Sequence, residues 1–496
     1  MVCTPLGAVK GQLQGDTIAF KGIPYAQPPV GPLRWKPTKP VAPWKGVRDG
    51  SNYGPICPQI VKGKVEGNED CLTLNVWKSA QPTATRVPVM VWLTGGGNHS
   101  YSGQGDPDGR VLFTGKQLVP SGVVFVSVNV RLGVLGFLAH PALNAERAEK
   151  TSGNYASLDQ IEMLRWVRDN ISAFGGDPKR VMLFGTSAGG GNTCALLSSP
   201  FTRGLIHVAA MQSSVPTGCE LQTRAQAETR TGKPVVQALG CDTGDTASCL
   251  RSKTVEQLVL ALPGYTSVLP RLFGPVVDGY VFPDQPIKRL TNGTAPAIPI
   301  IIGNTTGETN GWVTSRPPLV SDESTYLTAI DEVFGNAARE RILSIYPLTS
   351  YSNPKAAFQQ MTTDAEFTCT SRRVARQLST QNRHVYRYLF DRALGTKPGD
   401  PPQAVSHTEE HAYLFAWEGT DRPVAFDLEI QKELVADWTS FAAIGNPNGK
   451  GENKWRAVTR QEDAYLEFGA ETKMKTGPTA AHCEFWDTVP LPSPHL

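Results

Sequence analysis

Strand-sized apolar runs alternate with helix-spaced ones along much of this chain. Val87–Leu93, Val123–Val130, Arg180–Phe184, His207–Gln212, Ala297–Ile302 and His384–Phe390 read as strands. Several are apolar on both faces, as strands buried in a parallel sheet are. Between the second and third, Leu158, Ile161, Leu164, Val167 and Ile171 recur every three or four positions. That spacing predicts a one-faced helix, which supplies the crossover a parallel pair needs. The Pro- and Gly-rich stretches Ile23–Pro32 and Gly395–Pro402 read as loops, and no internal repeat or low-complexity tail interrupts the pattern. The fold class predicted is α/β, with a mostly parallel sheet, helices on both faces and long excursions between strands.

Composition narrows this further. With 40% apolar and 19% charged residues, an ordinary globular protein is expected rather than a disordered one. The 48 basic and 45 acidic residues leave a net charge of +3, spread without runs, which gives no electrostatic footprint for nucleic acid. The longest apolar stretches fall far short of the roughly 18 residues a membrane span requires. Met1–Pro5 has neither a basic nor an apolar leader region, so a signal peptide is expected to have been removed. The nine cysteines include no Cys-x-x-Cys pair, which favours disulfides over zinc and implies an oxidising, secreted or periplasmic setting. An odd total leaves at least one thiol unpaired or intermolecular.

The chemistry centres on Gly185-Thr186-Ser187-Ala188-Gly189, which lies between the run Arg180–Phe184 and a helix-compatible stretch, Thr193–Leu197. Gly-x-Ser-x-Gly at a strand-to-helix turn lifts the serine hydroxyl clear of the sheet, and the glycines relieve clashes at that turn. Ser187 is the candidate nucleophile. Upstream, Val89–Leu93 runs into Thr94-Gly95-Gly96-Gly97-Asn98, a loop whose N–H groups can converge on an oxyanion together with that of Ala188.

A serine nucleophile needs an imidazole base, and the imidazole needs an acceptor, in the chain order Ser, acid, His for this type of turn. Of the eight histidines, that order leaves His407 and His411; His407, directly after the Gly395–Pro402 loop, is the better placed. Glu308 is the only carboxylate in the loop after Ala297–Ile302, where an acid is expected, although a solvated loop Glu would look the same.

With these motifs the chain resembles the type-B carboxylesterases, the family that includes the cholinesterases. Phe20–Ala26, Leu33–Trp35, Glu69–Val76, Asn129–Gly133, Phe174–Pro178 and Gly274–Gly279 match that family besides the serine motif, so the resemblance covers almost the whole chain. It implies a single α/β-hydrolase domain over residues 1–496 with cap-like insertions between strands. It also implies a Ser187–Glu308–His407 triad, oxyanion donors at Gly96, Gly97 and Ala188, and hydrolysis of small to medium organic esters without metal or cofactor. Glu410 follows His407 at the family's spacing. Disulfides Cys57–Cys71, Cys241–Cys249 and Cys369–Cys483 are implied by position, which leaves Cys3, Cys194 and Cys219 over.

The chain departs from the family at Thr94, where many members have His, at Asn98, where an aromatic is usual, and at Thr186, where Glu is frequent. Thr306-Gly307 also replaces a common basic–acidic pair. Asn98 and Thr186 are expected to line the site and make it more polar and less anionic than one suited to choline esters. Bacterial relatives include enzymes that remove tricarballylate side chains from fumonisin toxins, and the polar Asn98–Tyr101 entrance is compatible with such an anionic acyl group. Two other readings compete. His407-Thr408-Glu409-Glu410-His411 matches the His-x-x-Glu-His zinc-protease pattern, with His407, Glu410 and His411 on a helix. Adhesion proteins also use this fold for binding without catalysis.

Overall fold

The sheet forms where the apolar runs place it and extends beyond them on both edges. The computed structural model describes the chain except residues 83, 107–112, 215–218, 263–272, 382–383, 397–404, 416–421, 450–453, 478–479 and 490–496. Part of the Gly395–Pro402 loop therefore lies outside the described residues.

The main sheet has eleven strands. In chain order these are β1 (Gln12–Gln14), β2 (Thr17–Pro24), β3 (Thr73–Ser79), β4 (Val87–Leu93), β5 (Val124–Val128) and β6 (Gly176–Thr186). There follow β7 (Val208–Gln212), β8 (Ile300–Thr305), β9 (Val385–Phe390), β10 (Ala464–Phe468) and β11 (Thr472–Thr476). Across the sheet they lie in the order β11-β10-β9-β8-β7-β6-β4-β5-β3-β2-β1. From β5 to β10 every neighbouring pair is parallel, while β11 at one edge and β3, β2 and β1 at the other pair antiparallel.

Period-two alternation sorts each central strand between two cores. Val89, Val91 and Leu93 of β4 pack in one cluster with Ile161, Leu164 and Val167 from helix α1 (Tyr155–Asn170) and Leu196 from helix α2 (Ala188–Ser198). Met90 and Trp92 pack on the opposite face, in a cluster with Phe184, Ile430, Leu434 and Trp438. Helices thus cover both faces, which is why the central strands read as apolar throughout.

Between β8 and β9 a helical excursion builds a separate cluster around Tyr326, Tyr346, Phe358 and Met361. It is closed by the Cys369–Cys483 disulfide, and Cys57–Cys71 and Cys241–Cys249 are bridged as well. A fourth bridge, Cys194–Cys219, uses two of the cysteines left over from the sequence and ties α2 to the segment after β7. Cys3 is an exposed free thiol. Among the described residues no helix is long and apolar enough to cross a membrane.

Candidate active site

Strand β6 delivers Ser187 at its end, and α2 begins at the next residue. Ser187 adopts φ 54°, ψ −126°, a conformation that is strained for a side chain with a Cβ. The strain is held by the surroundings: Ser187 N–H donates to Gln212 O of β7 at 2.9 Å, and Gly191 N–H donates to Ser187 O at 3.0 Å. Glycine is required two residues on, because a Cβ on Gly189 would lie 2.2 Å from the Leu93 carbonyl oxygen. The helix thereby presses onto the end of β4, bringing its first turn beside the Gly95–Gly97 loop. The first N–H groups of α2 have no partner within the helix, which suits them to bind an anion.

Glu308 follows β8 and is completely buried. Thr305 N–H donates to its Oε1 at 2.7 Å, and its Oε2 meets His407 Nδ1. The two loops are joined by backbone as well: Gly307 N–H donates to Val405 O at 2.9 Å, and Gly307 and Ser406 form a parallel bridge. The His407 ring lies 4.9 Å from the Trp312 ring and 5.5 Å from the Phe367 ring, centroid to centroid. Its other nitrogen, Nε2, is buried and has no hydrogen-bond partner among the described residues.

Ser187, Glu308 and His407 line one cavity of about 290 Å³, together with Gly95, Gly96, Thr186 and Arg316. Gly97 and Ala188 flank these lining residues in the chain. Gly96 needs its φ of 79°, since a Cβ there would sit 2.4 Å from Ser100 O.

One sequence expectation changes. Asn98 does not line this cavity: its carboxamide accepts from Asn192 Nδ2 at 2.8 Å and donates to Phe273 O at 3.2 Å. A second carboxylate besides Glu308 does stand near the imidazole, at the Glu410 that follows His407 in the chain. Glu410 is buried behind the site, with Tyr388 and Ser213 hydroxyls 3.4 and 3.5 Å from Oε1. Burial, and then the charge of Glu308, push its carboxyl up to about 7. Thr186 does line the cavity, and its buried hydroxyl has no partner among the described residues.

The helical face required by the zinc reading is not formed. Thr408 is left-handed at φ 73°, and the short helix starts only at His411. His411 stacks edge-on against Trp92 at 5.2 Å, whereas His407 turns to Glu308. Among the described residues no group of His, Cys, Asp and Glu is arranged to hold a metal ion.

Trp312 and Arg316 were not singled out from the sequence. They stand four and eight residues after Glu308: Trp312 lies on helix α3 (Asn310–Ser315), and Arg316 ends it in an extended conformation.

Comparison with known proteins bears on this geometry. The family model described as the carboxylesterase family matches residues 1–486. The chain is 33% identical over 492 residues to a fumonisin B1 esterase from Sphingopyxis macrogoltabida, covering 94% of this chain and 86% of that protein. It is 32% identical over 501 residues to para-nitrobenzyl esterase from Bacillus subtilis, covering 96% of each. It is 29% identical over 532 residues to acetylcholinesterase from Bungarus fasciatus, covering 98% of this chain and 86% of that protein.

Proposed function

We propose, from the premise that this chain belongs to the carboxylesterase family and is a carboxylesterase, that it hydrolyses small to medium organic esters through Ser187, His407 and Glu308. One observation carries the reading. His407 is held through Nδ1 by a buried carboxylate, while its Nε2 lies unengaged in a cavity whose wall includes Ser187.

In the mechanism, His407 Nε2 takes the Ser187 hydroxyl proton as Oγ attacks the ester carbonyl. The N–H groups of Gly96, Gly97 and Ala188 receive the negative oxygen of the tetrahedral intermediate. The imidazolium, steadied by Glu308, returns the proton to the departing alcohol. A water molecule then repeats the sequence on the acyl-enzyme and releases the acid. The mixed polar lining suits acyl groups bearing polar or anionic substituents, and the similarity to a fumonisin B1 esterase agrees with that preference. The single catalytic domain is read over the whole chain, and the four bridges suit a secreted or periplasmic enzyme.

The test is covalent labelling. An organophosphorus reagent should add one phosphonyl group at Ser187, found by peptide mass spectrometry, and abolish hydrolysis of p-nitrophenyl acetate. Full activity after complete labelling, or label on another residue in the active enzyme, would overturn the reading.

A further inference from the structure

We infer that Arg316 makes the catalytic cavity selective for esters whose acyl group carries a carboxylate; this rests on the reading of Ser187 as the nucleophile of that cavity. The placement comes from local geometry. Trp312 lies on α3, Arg316 directly follows its last residue and Glu308 stands two residues before its first, and all three line the cavity together with Ser187 and His407. The Arg316 guanidinium carbon lies 5.5 Å from the Trp312 ring centroid, and that ring is 4.9 Å from the ring of His407. A single indole therefore separates a fixed positive charge from the imidazole. Stacking engages the face of a guanidinium, whereas its donors lie in its plane and match the two oxygens of a carboxylate.

Charge around the cavity points the same way. Glu308 also lines it, but Oε2 is committed to His407 and Oε1 to the Thr305 N–H. His99 adds no second cation, since burial first and then the Arg316 charge push its imidazole down to about 4. Among the described lining residues, Arg316 is thus the permanent cation. The buried Thr186 hydroxyl, without a partner among the described residues, offers a polar contact within the same cavity. At about 290 Å³ the space is at the small end for ligand pockets, so a short acyl chain would keep its distal group near these side chains.

The rival is that Arg316 only braces Trp312, and a ratio of rates separates the two. The full chain is assayed with mono-p-nitrophenyl glutarate and with p-nitrophenyl pentanoate, which differ in the terminal carboxylate. The ratio of kcat/KM for the anionic over the neutral ester should fall about tenfold or more in Arg316→Gln. It should fall further in Arg316→Glu, be only partly kept in Arg316→Lys, which retains the charge without the paired planar donors, and decline with added salt in the parent enzyme. Because the ratio is read within one protein sample, partial loss of folded enzyme cancels. An unchanged ratio in the Gln and Glu variants, with both esters slowed together, would assign Arg316 to bracing and overturn the inference. Hydrolysis of the pentanoate ester by Ser187→Ala at the parental rate would instead overturn the esterase site itself.

Discussion

Asn192 donates to Asn98 across 2.8 Å, joining the helix that follows Ser187 to the glycine loop that faces it. Asn98 accepts a left-handed φ of 64°, which asparagine tolerates better than most residues, and its carbonyl receives the Gly133 N–H at 2.7 Å. One carboxamide therefore ties the first turns of α2 to the Gly95–Gly97 loop, the two segments whose N–H groups we propose receive the oxyanion.

Loss of that tie should slow chemistry more than binding. Asn98→Ala is expected to lower kcat by roughly 10- to 100-fold with KM nearly unchanged, because donors displaced by a fraction of an ångström stabilise the oxyanion less. Asn98→Asp keeps the acceptor toward Asn192 but not the donor toward Phe273, and should fall between. Steady-state kinetics on p-nitrophenyl acetate decide; parental kcat in the Ala variant would remove Asn98 from this role.

Replacing Glu308 with Gln leaves a group of the same shape but removes the charge that supports the imidazolium. A fall in kcat of about 10³- to 10⁴-fold is expected, with the melting temperature little affected. A loss smaller than tenfold would show that another group orients His407.

Gly189→Ala tests close packing. The added methyl would meet the backbone oxygens of Leu93 and Thr94 at 2.2 and 2.5 Å, and neither can move without dragging β4. The variant should be expressed poorly or be inactive when soluble, as followed by yield and circular dichroism. Wild-type activity would mean that the turn is looser than it is drawn.

Glu410 supplies a pH signature. Its folded carboxyl sits near 7, above the ordinary value, so the native state binds more protons than the unfolded chain between about pH 4.5 and 7. The stability it lends is complete below that window and disappears as pH rises through 7. Glu410→Gln mimics the protonated form, so it should match the parent near pH 4 and melt higher at pH 8. Equal melting temperatures at both values would refute the placement of this charge.

The Cys194–Cys219 bridge closes a 25-residue separation at the nucleophile helix. Replacing both with Ser should reduce stability by about 2–4 kcal/mol in denaturant titration, through a less restricted unfolded chain. No change in the midpoint would indicate that packing around α2 already does this work.

How far sequence carried the description depended on the kind of signal. Val87–Leu93 coincides with β4, and Leu158–Ile171 lies along α1, because continuous apolar runs and helical spacing are local. The edge strands were missed: β2 is interrupted by Lys21-Gly22 with a register shift between Phe20 and Ile23, and β11 is half polar. The serine turn announced itself through glycines that backbone geometry demands. Asn98 did not, since its standing where the family usually has an aromatic suggested a wall residue, whereas its partners Asn192 and Phe273 lie 94 and 175 positions away. Cys194 and Cys219 lacked any spacing that identified them as a pair, and only the fold brings them together.

Glu308 and His407 are 99 residues apart in the chain, yet the backbone ladder between Gly307 and Ser406 clasps their loops directly. That clasp ties the two loops, and the helical excursion threaded between them adds Trp312 and Phe367 against the His407 ring. The part of the excursion remote from Trp312, Arg316 and Phe367 can therefore be lengthened, trimmed or exchanged while the two clasped loops keep their mutual reach. Grafting at this insertion is accordingly the natural route to new ester preferences on an unchanged catalytic frame.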